Sequence, residues 1–326
     1  MVRALYPDDC RLVSRLGTNQ WHQLNDFALA EATFRRCINQ QYERADSVRY
    51  SLGMMLLGQE RYDDAIEQFS RARAVGRTGP GEMYARAFDA RRDHARADAI
   101  YRASTNGRNG WQGEAAIVTG IDRGSLAMAA KAAQSWLEQA KAAGDPVEVL
   151  RAHAAIASLA VTSGRQDARQ RLKEMLAAAD AGAQAADEYY PPASTEVRLF
   201  AGLLSAWMED AAGVASALES SRDSSAVRDF PTVAQLQQVV LAEQERLAGD
   251  PRAAASRLRP IVKRPDALVV AHWSLMRAER DAGSTDAARA QEQWLASHRG
   301  RIFVESSTTE VLRFVNVAIP AGAGAR

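Results

Sequence analysis

Catalysis needs side chains that converge, and few in this sequence have the spacing for it. The five histidines, His22, His94, His153, His272 and His298, are scattered, and no two stand at metal-ligand spacing. No GxxxxGK[ST] loop, GxSxG elbow or HExxH helix is present. Gly107, Gly110 and Gly113 lie in STNGRNGWQGE, where backbone N–H groups suit a phosphate. No strand pattern precedes them and no Lys–Ser/Thr follows, so a turn between helices is the expected role. Asp63 and Asp64 open a helix, where negative charge suits the helix dipole without any catalytic part. Trp273, Arg277 and Arg280 fall at i, i+4 and i+7, so one helix face carries an indole and two guanidiniums. Such a face suits stacking on a peptide side chain and bidentate grip of a carboxylate. A Trp packed on a neighbouring helix beside two solvated arginines fits the spacing too. No acid, base and nucleophile assemble, so the chain is expected not to be an enzyme and to carry no cofactor or metal.

The elements that must position these residues are helices. Of 326 residues, 47% are hydrophobic and 25% charged, ordinary values for a globular chain with a sizeable core. Alanine, the strongest helix former, is abundant, and β-branched alternation is scarce. The 41 basic and 40 acidic residues leave a net charge of +1, which disfavours a nucleic-acid binder. Cys10 and Cys37 are too few for a disulfide framework and read as buried thiols in a reducing compartment. The start, MVRALYPDDCRLVSRL, lacks a secretory pattern, and no apolar run is long enough to span a membrane. The expectation is a cytoplasmic protein with no membrane partner.

A repeat organises the helices. In RYSLGMMLLGQERYDDAIEQFSRA, Leu52 and Gly53 are followed by Tyr62, Ala65, Ile66, Phe69 and Ala72. Phe27, Ala30, Phe34 and Cys37 lie 35 residues before Tyr62, Ala65, Phe69 and Ala72. Ala97 and Tyr101 follow at looser spacing. Gly249, Ala254 and Leu258 stand 34 residues before a second turn-plus-alanine set, Gly283 and Ala288. Small Gly53 and Ala65 let two helices of a pair approach, while Tyr62 and Phe69 fill the space between pairs. SLAMAAKAAQSWLEQAKAAGD predicts one long helix stopped by Gly144, Asp145 and Pro146, and the partner of the next helix is expected to end near Gly182.

This pattern resembles the tetratricopeptide repeat (TPR), strongly at 11–104 and 231–298 and weakly between. The resemblance implies an all-α solenoid of about eight antiparallel helix pairs in a right-handed superhelix. It divides into N-terminal pairs at 1–104, worn pairs at 105–190 and C-terminal pairs at 191–300. Residues 301–326 form a cap on the last pair and a disordered tail. Pro191 and Pro192 mark the expected joint between sub-arrays. The closing stretch, EQWLASHRGRIFVE followed by FVNVA, is similar to the ends of TPR arms in bacterial multidomain signalling proteins, among them cyclases and kinases of peptide-modification systems.

In TPR proteins the first helix of each pair lines the groove. That register turns Arg15 and Asn19 inward in the first pair, Tyr50, Met54 and Leu57 in the second, and Trp273, Arg277 and Arg280 in the last. Arg15 and Asn19 match two positions of the carboxylate clamp that grips chaperone tails. Ser51, Gly79 and Met83 stand where that clamp needs Asn and two basic residues, so it is incomplete. The resemblance implies a protein or peptide partner, without nucleic acid, and leaves a homodimer through the open N-terminal end as an option. An enzyme or enzyme subunit with its site in the groove near 104–114 is the alternative.

Overall fold

The computed structural model describes residues 10–22, 27–40, 45–73, 80–103, 111–189, 193–305 and 311–319, and among them there are nineteen helices and no strand. The expectation of an all-helical chain holds. Sixteen of the helices run in consecutive pairs that pack on each other. In chain order the pairs are α1 (Cys10–His22) with α2 (Phe27–Asn39), α3 (Ala45–Gly58) with α4 (Tyr62–Arg73), and α5 (Pro80–Ala90) with α6 (His94–Ala103). Next come α7 (Trp111–Asp122) with α8 (Leu126–Ala143), α9 (Pro146–Thr162) with α10 (Ala168–Tyr189), and α11 (Ala193–Trp207) with α12 (Ala211–Ser221). A single turn, α13 (Ser225–Asp229), precedes α14 (Pro231–Leu247) with α15 (Pro251–Val262) and α16 (Val269–Asp281) with α17 (Thr285–Ser297). Two short helices, α18 (Arg299–Val304) and α19 (Leu312–Asn316), follow.

The chain forms two compact units. Unit 1 is Met1–Arg108 with His298–Val304, and unit 2 is Asn109–Ser297 with Glu305–Arg326. Within unit 2, α10 and α11 pack on each other across the Pro191–Pro192 segment, which itself lies outside the described residues.

One turn is used seven times. Between the two helices of every pair from the second to the eighth sits a left-handed residue: Glu60, Arg92, Gly124, Gly164, Glu209, Gly249 or Gly283. The N–H of the residue that follows reaches back to a carbonyl in the last turn of the first helix, as Arg61 does to Leu56 and Ser284 to Glu279. That bond closes the helix and reverses the chain. Asp210 and Asp250 then cap the next helix by accepting from the N–H groups of Gly213 and Ala253. Gly144 ends α8 in the left-handed region, Asp145 caps α9 and Pro146 is its first residue, as the sequence predicts.

Packing follows the repeat residues. Ala30, Phe34, Cys37, Leu52, Ala65, Phe69 and Ala72 are fully buried. A Cβ on Gly53 would stand 2.6 Å from the Phe69 ring, and one on Gly17 would stand 2.8 Å from Phe34. Each of the two pairs thus has its own close Gly–Phe helix contact. Cys10 and Cys37 are buried free thiols.

Two expectations need correction. Helix α10 does not end near Gly182 but runs through it to Tyr189. Glycine lowers helix propensity by about 1 kcal/mol, which tertiary packing overrides. The terminal segment does more than cap the last pair. It places α18 on α3 and α5 in unit 1, and α19 on α7, α9 and α16 in unit 2. Residues 320–326, the expected tail, lie outside the described residues.

Candidate functional site

In unit 1 the predicted patch is spread along α1 and α3. Arg15 is exposed on α1. Asn19 belongs to the same helix, with its side chain outside the description. Tyr50 and Met54 are half-buried on α3, and Tyr50 meets Phe69 edge-on at 6.0 Å between ring centroids. Leu57 is fully buried, so it is core rather than groove surface. Of the incomplete clamp, Ser51 donates to the Ser47 carbonyl and Met83 is buried.

The C-terminal ends of α3 and α5 hold α18. The Glu60 carboxylate accepts from the N–H groups of Gly300 (2.9 Å) and Arg301 (3.1 Å), and from the Tyr62 hydroxyl. Burial and this carboxylate push the Tyr62 phenol well above its ordinary range. Arg299 donates to the carbonyls of Ala90 (3.1 Å) and Asp89 (3.3 Å), where the α5 dipole favours a cation. The buried Asp89 carboxylate meets the Tyr101 hydroxyl at 3.1 Å and His94 Nδ1 at 3.0 Å.

In unit 2, α19 is buried on every side. All nine residues from Val311 to Ile319 are shielded from solvent. Arg313 and Glu114 form an ion pair with each side chain only 1% exposed. Glu114 also pairs with Arg151 at 2.7 Å, and Arg151 with Glu148 at 2.8 Å. The Trp136 indole donates to Glu148 at 2.9 Å and packs edge-on against Phe314, 6.1 Å between centroids. On the far side, Glu305 accepts from the Val269 N–H at 2.8 Å, at the start of α16, and from the Asn316 amide at 2.8 Å.

The second predicted patch is assembled differently from the sequence expectation. Trp273 packs on Trp207, 5.6 Å between centroids, and both indole N–H groups are buried without an acceptor. Arg277 pairs with Glu209 at 2.6 Å and approaches Glu243 at 3.5 Å. Arg280 turns the other way, to Glu292 on α17. The two guanidiniums therefore do not share one acceptor. Arg246, absent from the sequence reading, joins Glu209 (3.0 Å), Glu243 (2.8 Å) and Asp281 (3.0 Å). Burial alone would lower its pKa, and these carboxylates more than offset that and raise it.

The structure thus brings Trp273 and Arg277 into one cluster, and leaves Arg280 paired elsewhere. Sequence reasoning missed Glu114, Arg151, Arg313, Glu209, Glu243 and Arg246. For Glu114 and Glu243 the signal was an acid inside a helical stretch with apolar neighbours, as in WQGEAAIVTG. Gly113 lies on α7 against Trp136, a Cβ there meeting the Trp136 Cβ at 3.0 Å, and residues 104–110 lie outside the described residues. His272 is stacked on Trp294, 3.4 Å between centroids, and its Nδ1–H donates to the Gln291 side-chain oxygen at 2.8 Å. Among the described residues no group of three or more His, Cys, Asp or Glu side chains could hold a metal, and no helix is long and apolar enough to cross a membrane.

No protein-family model matches the chain, and no curated protein matches it in sequence.

Proposed function

We propose that the chain is a protein- or peptide-binding scaffold of the TPR type, a right-handed solenoid that serves as the sensor or adaptor arm of a bacterial signalling or peptide-modification system in the cytoplasm. The observation that carries this reading is what lies on the first helices of its pairs. In unit 2 the faces of α7, α9 and α16 accept a short helical segment and seat its arginine on a buried carboxylate of α7, while an indole of α8 meets its aromatic ring. In unit 1 the ends of α3 and α5 accept another. Faces that hold one peptide by side-chain pockets and helix-end hydrogen bonds have the chemistry to hold a partner's. The seven recurring turns and the buried repeat residues support the TPR reading, and the two free thiols suit a reducing compartment.

The test is selection from a displayed random-peptide library on the full chain. The reading expects a convergent motif whose binding falls at least about tenfold, or 1.4 kcal/mol, in Arg277→Glu/Arg280→Glu or in Arg15→Glu, with helical content unchanged. Failure of the library to converge, or binding indifferent to every such change, contradicts it.

A further inference from the structure

We propose that residues 311–319 are a displaceable internal ligand, and that the site they occupy in unit 2 takes a peptide bearing an apolar–arginine–aromatic–apolar run. This rests on the binding role proposed above and names the ligand class of one of its faces.

The ligand chemistry is written by the occupant. Leu312, Arg313, Phe314 and Val315 are all fully buried, on a five-residue helix that belongs to none of the eight pairs. The arginine enters beside Glu114, and the ring enters beside Trp136. A permanent core element has no need of a buried ion pair. Replacing such a pair by apolar groups of like volume is commonly neutral or stabilising. The pair instead fixes which residue sits where.

The site is also built to be vacated. Breaking a buried ion pair is costly when one charge is left buried and alone. Glu114 is not left alone, because Arg151 holds its other oxygen at 2.7 Å and is itself 12% exposed. The Trp136 N–H keeps Glu148. Glu305 lies outside the segment and keeps the Val269 N–H at 2.8 Å when Asn316 leaves. Glu114, Trp136 and Glu305 each therefore keep a partner on the scaffold once the segment departs.

The experiment uses the full chain and a fluorescent peptide of sequence EVLRFVNVAI, residues 310–319. The Arg313→Ala/Phe314→Ala chain is expected to keep its helical content and bind the peptide. Wild type should bind it at least about tenfold more weakly, because its own segment competes at an effective concentration in the millimolar range. A peptide with Glu in place of the arginine should not bind the variant. In hydrogen exchange on the wild-type chain, amides 311–317 should open well before those of α9. Loss of helical content in the variant, absence of peptide binding to it, or exchange at 311–317 as slow as in α9 would each overturn the proposal. These results are separable from the library selection: a site that binds the chain's own peptide stands even if no foreign peptide is selected, and a selected peptide that binds elsewhere leaves this site refuted alone.

Discussion

Glu114 is the residue on which two arginines depend, and the asymmetry is measurable. Glu114→Ala leaves Arg313 and Arg151 without a shared carboxylate, and stability should fall by about 3–5 kcal/mol, the usual cost of stranding a buried charge. Arg313→Met leaves Glu114 paired with Arg151, and the fall should be about 1 kcal/mol, the worth of an ordinary buried hydrogen bond. Urea midpoints of the two variants check the order, and equal losses would refute the claim that Glu114 has a fall-back partner. Gly53 tests the close crossing in unit 1. Replacement by Ala gains up to about 1 kcal/mol of helix propensity, but a Cβ at 2.6 Å from Phe69 forces overpacking at about 1–3 kcal/mol. The net effect should be a loss, seen as a lower urea midpoint.

Residues of the Gly53 kind were legible in the sequence because both partners belong to one helix pair and recur at fixed spacing. The Arg313–Glu114 pair was not, because its members are 199 positions apart and an ion pair leaves no periodicity. Arg277 shows the same limit. Its spacing to Trp273 was readable, but the carboxylate that neutralises it comes from Glu209, 68 residues earlier.

At the scale of elements, the left-handed turn residue is the informative position. Four of the seven are glycine, which adopts that conformation freely, while Glu60, Arg92 and Glu209 hold it against a cost of about 1–2 kcal/mol. Two of the three use their side chains: Glu60 caps α18, and Glu209 meets Arg246 and Arg277. Arg92 is exposed, and its substitution by Gly should raise the melting temperature by relieving strain. Glu60→Gly relieves the same strain but removes the acceptor of Gly300 and Arg301. Its amides at 300–304 should exchange faster than in wild type even where the global midpoint is unchanged.

His153 on α9 adds a pH dependence. Burial, with Lys141 nearby, pushes its pKa below the ordinary value. The unfolded chain then binds the proton more readily than the folded one. This contribution to stability is full above about pH 6.5 and is lost as pH falls toward the folded-state value. His153→Gln should flatten the decline of the urea midpoint between pH 7.5 and 5.5, and an unchanged slope would contradict this.

At the scale of the whole molecule, the helical class followed from alanine content, and the turns at Gly144, Gly249 and Gly283 from glycine placement and repeat spacing. The reach of the terminal segment did not. Its residues RIFVE and LRFVNVAI carry no repeat signal, and an apolar run of that length fits a cap on the last pair as well as a helix seated across α7, α9 and α16. What separates these readings is long-range packing, to which sequence periodicity is blind. The consequence for function is that a peptide entering this face of unit 2 must compete with the chain itself, so occupancy by a partner and docking of residues 311–319 exclude each other.

The most direct measurement is the deuterium uptake of residues 311–317 in the full chain, with and without a saturating peptide of the apolar–arginine–aromatic class. Competition predicts that the bound peptide speeds exchange there at least about tenfold, toward the rate of an undocked segment, while α9 and α16 stay protected. Binding of that peptide with exchange at 311–317 unchanged would contradict the account.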